Sequence, residues 1–471
     1  LTPPQPGDDG ERWLAYGNQL YRTAQFDKSV AAFDMATAKG KGLTGNYGKA
    51  LSLYQARKHD LAEIAIARAI AIVPATKRAN YYYFWRHQSS NFRRLAKYDD
   101  ALKAINIAIE LEPNDLLLRN EKANIIASSK KYLEAIAILT DLIQTKPEAY
   151  AYLNRGHAKF DLGNKQGAID DFDLAIAINP QYALAYYNRG IAKYALGNKQ
   201  EAIGDYDRAI SINSQDANAY VNRGVVKSAL GNNQGAISDF DRAIAINPQF
   251  AEAYGNRGNA KYNLGNNQGA ISDYDRVIAI DPQDAKAYGN RGVAEYALGN
   301  KQGAIADFDK AIAINPQYAE AYNNRGVVKY NLGNKQGAIG DYDRAIAINP
   351  QYANAYYNRG SAKSALGNKQ GAISDYDRAI AINPQYAQAY YNRGIVKDDL
   401  GNKQGAISDY DRAIAIDPQF ALAYNNRGIA KSEIGNKQGA IADLSKAAEL
   451  FRQQGLTDLY QQAMGLISKL K

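Results

Sequence analysis

The sequence contains no cysteine, and methionine, tryptophan and histidine are almost missing, with 2, 2 and 3 residues. Without cysteine the chain has no disulfide framework, no thiolate metal site and no thiol nucleophile. The histidines, His59, His87 and His157, lie far apart along the chain, so they do not suggest a shared site. We therefore predict a non-enzymatic protein with no catalytic residues, no metal site and no cofactor.

The chain also lacks a basic block and a long apolar run. Its net charge of +9 is modest for 471 residues, and acidic and basic residues alternate. A basic face or cluster is what nucleic-acid binding requires, so we predict no nucleic-acid partner. No apolar run approaches the roughly 20 residues that span a bilayer, so we predict no transmembrane segment.

What the chain has in abundance is a repeat of 34 residues. In the copy at 183–216, the first half carries small residues at Gly190 and Ala192, where a second helix can approach closely. Gly197 and Asn198 then supply turn chemistry, and the second half has an apolar stripe at helical spacing. Each copy is therefore predicted to form two antiparallel helices. Neither helix buries its apolar face alone, so successive copies must stack.

These copies resemble the tetratricopeptide repeat family, whose pattern has Trp or Tyr at repeat position 4, Gly at 8, Ala at 20, an aromatic residue at 24, Ala at 27 and Pro at 32. Two copies fill these positions with Tyr254, Gly258, Ala270, Tyr274, Val277 and Pro282, and with Tyr356, Gly360, Ala372, Tyr376, Ala379 and Pro384. They are similar to cyanobacterial and related bacterial arrays, which assist the assembly of larger complexes. The resemblance implies an all-α, right-handed superhelical solenoid.

Counting units by these positions predicts thirteen repeats, and the chain as a whole is predicted to have four segments. These are a Pro-rich segment (1–9), four divergent tetratricopeptide-like repeats (10–148), nine near-identical repeats (149–452) and a C-terminal capping helix (453–471). The start at Leu1 without Met fits either signal cleavage, which would place the protein in the periplasm or at the cell surface, or an arbitrary boundary. The aromatic and basic stretch 77–95 is predicted to lengthen the first helix of its unit. It forms either a docking patch or buried packing between repeats.

The arginine of the recurring Asn-Arg-Gly lies at repeat position 7, where the family usually has Leu. Together with the lysine at position 11, it is predicted to face the second helix, which carries the recurring Asp-Tyr-Asp. The predicted structural ion pairs join Arg189 and Lys193 with Asp205 or Asp207, and Arg223 and Lys227 with Asp239 or Asp241. The two aspartates of one Asp-Tyr-Asp point in different directions, so they do not suggest a catalytic pair.

The asparagine lies at repeat position 6, which in the family faces the concave groove. The resemblance implies a ladder of amides that grips the main chain of an extended peptide, since an amide offers a donor and an acceptor together. The ladder comprises Asn154, Asn188, Asn222, Asn256, Asn290, Asn324, Asn358, Asn392 and Asn426. Seven tyrosines at positions 5 and 12 are predicted to line the same groove: Tyr187, Tyr194, Tyr262, Tyr296, Tyr330, Tyr357 and Tyr391.

Two alternatives accompany this prediction of a scaffold that binds an extended peptide or partner protein. The asparagines could be silent residues copied by duplication, and varied neighbours could reflect relaxed constraint. The chain could also be a structural protein that assembles end to end into a fibre or cell-surface filament, because heterologous contacts that do not close generate filaments. The residues predicted for such contacts are Trp13 and Leu14 near the start and Leu459 and Leu466 near the end.

Overall fold

The computed structural model describes residues 2–470, which form twenty-seven α-helices and one 3₁₀ segment and contain no strand. The predicted all-α class and the predicted helix pairs are confirmed. The ends of the predicted segments 1–9 and 453–471, Leu1 and Lys471, lie outside the described residues. The chain divides into two compact units, Leu1–Gly231 and Asn232–Lys471. This division falls within one repeat and is not the divergent-versus-identical boundary predicted at 148.

The first unit contains six helix pairs followed by one further helix. Its helices are α1 (Gly10–Arg22), α2 (Phe26–Ala38), α3 (Gly42–Gln55), α4 (His59–Ala71), α5 (Tyr82–Arg94), α6 (Tyr98–Leu111), α7 (Leu116–Ser128), α8 (Tyr132–Thr145), α9 (Ala149–Asp161), α10 (Lys165–Ile178), α11 (Ala183–Ala195), α12 (Lys199–Ile212) and α13 (Ala217–Ala229). Each pair contacts the next one along the chain, so the pairs stack in sequence order.

The second unit begins with one helix, continues with six pairs and ends with a single helix. Its helices are α14 (Asn233–Ile246), α15 (Ala251–Asn263), α16 (Asn267–Ile280), α17 (Ala285–Ala297), α18 (Lys301–Ile314), α19 (Ala319–Asn331), α20 (Lys335–Ile348), α21 (Ala353–Ala365), α22 (Lys369–Ile382), α23 (Ala387–Asp399), α24 (Lys403–Ile416), α25 (Ala421–Glu433), α26 (Lys437–Gln453) and α27 (Thr457–Leu470). Here too, successive pairs are in contact.

The turn inside each of the nine near-identical pairs is built from the recurring Gly-Asn, whereas the four divergent pairs turn at Ala24, Arg57, Ala96 and Lys130. Gly333 has φ of 85°, a left-handed conformation that glycine adopts without a Cβ clash. Asn334 is the N-cap residue of α20, and its side-chain oxygen accepts a hydrogen bond from the N–H of Gly337 at 2.9 Å. One residue therefore ends the first helix and the next one caps the second, so the two helices run antiparallel.

The core lies between each helix pair and the first helix of the next pair. In one such layer Tyr342 of α20 is 2% exposed and packs with Ala338 and with Ala362 of the following repeat. The tyrosine ring reaches this position because Gly326 on the facing helix has no side chain in its way. Repeat positions 8, 20 and 24 thus set the distance between the helices.

The predicted lengthening of a helix across 77–95 is wrong. A 3₁₀ segment, Ala75–Tyr81, precedes α5, and Tyr81 leaves helical geometry with φ of −126° and ψ of 21°. The helix therefore begins only at Tyr82 and has 13 residues, as α1 does. Phe84 and Trp85 are buried in a cluster against the neighbouring repeats, so of the two alternatives the packing role fits these rings.

Helix α27 lies inside the segment that the sequence predicts as a capping helix. Its Ala463 and Ile467 are buried, and Leu459 packs against the cluster around Phe451 of α26. The helix therefore covers the apolar face that the last repeat would otherwise leave without a neighbour.

A lysine at the start of several second helices contacts the following repeat. Lys335 donates from Nζ to the carbonyl oxygen of Ala365 at 3.2 Å, at the C-terminus of α21. A cation there satisfies a carbonyl without an intrahelical partner and interacts favourably with the helix dipole. Corresponding contacts are made by Lys165, Lys199, Lys301 and Lys369.

Asn267 occupies the lysine position in its own repeat, so we expect Asn267→Lys to stabilise the contact between α16 and α17. The expected gain is about 0.3–1 kcal/mol, the usual range for a cation at an exposed helix C-terminus. Hydrogen exchange of the α17 amides measures it, and the neutral Asn267→Gln is the control. Equal protection in both variants would contradict the role of the charge.

Candidate functional site

The arginine at repeat position 7 joins its own repeat to the preceding one. Arg291 donates from Nε and Nη2 to Asp307 of its own repeat at 2.8 and 2.6 Å. It also donates from Nη1 to Asp275 of the preceding repeat at 2.6 Å. Its guanidinium carbon lies 5.4 Å from the ring centre of Tyr288, a cation–π distance. The same two-sided pairing is made by Arg189, Arg257, Arg325, Arg359, Arg393 and Arg427.

The two aspartates of each Asp-Tyr-Asp have different partners. Arg189 and Lys193 both contact Asp205, which is 4% exposed. Asp207 instead pairs with Arg223 of the following repeat at 2.5 Å, and its side chain is 55% exposed. The alternative that pairs Asp207 with Arg189 is therefore wrong, because the first helix of the next repeat approaches the outer aspartate from the other side.

The predicted pairing of Arg223 and Lys227 with Asp239 or Asp241 spans the division at Gly231 and stays a prediction. Within the second unit, the hydrogen bonds that Arg291 donates to the carboxylates of Asp307 and Asp275 raise its pKa above the ordinary value. Arg291 therefore stays charged at neutral pH and joins the two repeats, which is the behaviour of a structural element.

The asparagine at position 6 behaves differently: in five of the nine near-identical repeats it donates to the residue at position 5 of the preceding repeat. Asn392 donates from Nδ2 to the hydroxyl oxygen of Tyr357 at 2.9 Å, and Asn358 donates to Oδ1 of Asn323 at the same distance. Three more follow this pattern: Asn154 with Asn120, Asn222 with Tyr187, and Asn426 with Tyr391.

Where position 5 of the preceding repeat has no polar side chain, the asparagine finds another partner. Asn290 follows the repeat with Gly255 and donates to Asn259 at 3.3 Å. Asn324 accepts a hydrogen bond from its neighbour Asn323 at 3.1 Å. In the first unit, Asn188 donates to the carbonyl oxygen of Leu184 at 2.8 Å. Asn256 is half-buried on α15.

Asn188 also hydrogen-bonds His157. Burial lowers the pKa of this histidine, and the hydrogen bond opposes that shift. His157 is therefore a neutral packing residue at pH 7.

The predicted groove tyrosines divide by position. At position 5, Tyr187, Tyr357 and Tyr391 hold an asparagine of the next repeat. The tyrosines at position 12 are half-buried and pack against core clusters: Tyr194, Tyr262, Tyr296 and Tyr330. The role of position 5 as a positioning residue escapes sequence reasoning, since its amide partner lies 35 residues further along the chain.

The second unit has a pocket that is lined by asparagines at position 6 and tyrosines at positions 5 and 12. Two adjoining cavities of about 370 Å³ and about 250 Å³ share Tyr330, Ser361 and Asn392 as lining residues. Asn358 and Tyr357 line the larger cavity. Side chains predicted as ladder and as groove aromatics therefore meet in one concave site.

The residues predicted for end-to-end contacts are partly used inside the chain. Trp13 is half-buried and meets Tyr16 edge-on at 6.5 Å, and Leu14 is half-buried. Leu459 packs on the last repeat, and Leu466 is half-buried. End-to-end assembly stays a prediction.

In residues 2–470 no group of three or more His, Cys, Asp or Glu side chains is arranged to hold a metal ion. Over the same residues, none of the helices has the length and apolar character needed to cross a membrane.

Comparison with known proteins gives the same repeat over much of the chain. Tetratricopeptide repeat models match residues 88–150, 183–216, 221–285, 256–319, 290–353, 353–386 and 387–420, and a TPR repeat model matches 156–197. No match was found among curated proteins.

Several solved structures are similar in part. MamA is 32% identical, with 35% of this chain and 96% of that chain covered and a TM-score of 0.33. YrrB, described as a TPR protein with an unusual peptide-binding site, is 24% identical, with 39% and 95% covered and a TM-score of 0.34. A tetratricopeptide repeat protein from Parabacteroides merdae is 23% identical, with 53% and 96% covered and a TM-score of 0.44.

Helix pairs of 34 residues, stacked in order and matched along most of their length by repeat models, are typical of a non-catalytic scaffold. They support protein–protein interaction as the function at this level of detail. The chain belongs to the tetratricopeptide repeat family.

Proposed function

We propose that this scaffold holds an extended polypeptide along the face of its first helices, through hydrogen bonds from the asparagine ladder to the main chain of that polypeptide. The observation that carries the proposal is the fixed orientation of the amides. Tyr357 holds the Nδ2 group of Asn392, and Asn323 holds that of Asn358. The cost of ordering these side chains has thus been met before a ligand arrives.

Each held amide still has its carbonyl oxygen, Oδ1, available to accept a hydrogen bond from a ligand. No residue in the described part of the chain donates to Oδ1 of Asn358 or Asn392, and both side chains line the pocket. A carbonyl oxygen accepts up to two hydrogen bonds, and the N–H groups of an extended peptide are donors of the matching kind. Main-chain recognition of this sort gives affinity without reading sequence, and neighbouring pockets then supply specificity.

Removing the two pocket amides tests the proposal. A binder is first selected from a displayed library of random 12-residue peptides and measured by calorimetry. We expect Asn358→Ala with Asn392→Ala to weaken it roughly tenfold to a hundredfold, from about 0.5–1.5 kcal/mol per lost hydrogen bond. The control is Asn349→Ala with Asn383→Ala, two exposed asparagines at the ends of second helices.

A second arm asks whether the main chain of the ligand is what the amides read. N-methylation of the selected peptide removes its donors one at a time. Methylation at the contacting residues should weaken binding to the native chain and add little further loss in the double variant. Unchanged affinity of Asn358→Ala with Asn392→Ala would contradict the proposal.

A further inference from the structure

One repeat of the second unit has two small side chains where its neighbours have large ones. Helix α21 carries Ser361 at position 9 and Ser364 at position 12. The preceding repeat has Val327 and Tyr330 at these positions, and the following repeat has Ile395 at position 9. Among the nine near-identical repeats, only this one has serine at both positions.

The two serines lie where the pocket opens. Ser361 lines both of its cavities, and Ser364 lines the smaller one. The Ser361 hydroxyl donates to the carbonyl oxygen of Tyr357 at 3.1 Å and lies 3.2 Å from the hydroxyl of Tyr376. A β-branched residue and a tyrosine, as in the preceding repeat, would fill this volume. We call the site the serine pocket, defined by Tyr330, Tyr357, Asn358, Ser361, Ser364 and Asn392.

The lining selects by charge. No Asp, Glu, Lys, Arg or His side chain lines either cavity. An ionised side chain placed there would give up part of its hydration without gaining a counter-charge, which is unfavourable. Burial raises the pKa of Tyr376, which lines the smaller cavity, to about 12, so its hydroxyl stays neutral and supplies no anion.

The lining also selects by shape. Tyr330 and Tyr357 line the larger cavity, together with Ser361 and Asn392, whose side chains carry hydrogen-bonding groups. Aromatic rings pack well against other rings at an offset or edge-on, and a phenol carries a hydroxyl that can use such groups. A cavity of about 370 Å³ is large enough for one such side chain.

We propose that the serine pocket receives one uncharged aromatic side chain, tyrosine or phenylalanine, of the polypeptide held by the asparagine ladder. The inference rests on the function proposed above. It assigns sequence preference to a single repeat, whereas the ladder holds the main chain on the repeats around it.

The probes are blocked heptapeptides, acetyl-Gly-Ser-Gly-X-Gly-Ser-Gly-amide, with X as Tyr, Phe, Glu or Lys, titrated into the full chain by ligand-observed NMR. We expect Tyr and Phe to bind roughly tenfold more tightly than Glu and Lys, the range for an aromatic contact combined with a desolvated charge. Ser361→Val with Ser364→Tyr fills the pocket with the residues of the preceding repeat. It should lower the affinity for Tyr and Phe to that for Glu and Lys.

Two further variants keep the test decisive. Ser432→Tyr makes the same exchange at position 12 of another repeat, outside the pocket, and should leave the preference unchanged. Ser361→Ile alone, the residue of the following repeat, replaces the double variant if that one melts earlier than the native chain.

The outcomes separate this inference from the function on which it rests. If all four probes bind equally and Asn358→Ala with Asn392→Ala still weakens their binding, the proposed aromatic preference of the serine pocket is wrong. The proposed role of the asparagine ladder is then still supported. A preference for Tyr and Phe that survives filling of the pocket also overturns the inference. Failure of every probe to bind the native chain overturns both proposals.

Discussion

Replacing Arg291 by leucine is expected to lower the local unfolding free energy of its helix pair by about 3–5 kcal/mol, because it leaves a buried carboxylate without a cation. Asp307 is 7% exposed, and Arg291 is its cationic partner among the described residues. Most other repeats have a lysine at position 11 that shares the buried aspartate, but this repeat has Glu295 there. Asp307 therefore depends on a single arginine.

A matched control lies one repeat further along. Arg325 makes the same contacts with Asp341 and with Asp309 of the preceding repeat. Asp341, however, also pairs with Lys329 at 2.8 Å, so Arg325→Leu leaves it with one cation. We expect roughly half the loss seen for Arg291→Leu, since the buried charge stays compensated.

Rescue experiments identify the uncompensated charge as the cause. Arg291→Leu with Asp307→Asn removes both charges and should recover much of the loss, and Glu295→Lys alone should protect the pair. Hydrogen exchange of the α17 and α18 amides is the appropriate measurement, because a long repeat array has no single unfolding free energy. Equal losses in Arg291→Leu and Arg325→Leu, or no recovery by Asp307→Asn, would show that packing dominates.

The second large effect is expected from two glycines of one repeat that respond to alanine with opposite signs. A Cβ at Gly326 of α19 would lie 2.6 Å from a ring carbon of Tyr342, closer than carbon atoms approach. The ring is buried and cannot move aside, so Gly326→Ala should cost about 1–3 kcal/mol through overpacking. Helix propensity favours alanine but supplies at most about 1 kcal/mol.

Gly340 of α20 is the matched site, because a Cβ there meets no atom within 4 Å. Gly340→Ala should therefore stabilise the repeat by about 0.5–1 kcal/mol, the helix-propensity difference with no steric cost. Exchange protection of the α19 and α20 amides reports both variants. A destabilised Gly340→Ala, or a neutral Gly326→Ala, would mean that this close approach does not set the helix spacing.

The sequence by itself determined the arrangement within one repeat, namely two antiparallel helices and the turn between them. The turn at Gly197 and Asn198 and the pairing of Arg189 with an aspartate of its own second helix follow from helical periodicity and a three-residue connection, which leave few ways to place two short helices. The choice of Asp205 over Asp207 came from the structure. The all-α class followed from the same pattern, because paired amphipathic helices have to stack.

Only the tertiary structure decided which side chains of one repeat contact those of the next. The partner of Asp207 in the following repeat and the holding of Asn392 by Tyr357 depend on the rotation and offset between stacked pairs. The 34-residue period does not specify these quantities. The serine pocket has the same origin, since Ser361 matters only because Tyr330 and Asn392 approach it from the repeats on either side. Periodicity fixes which residues share a helix face, and packing fixes which faces meet.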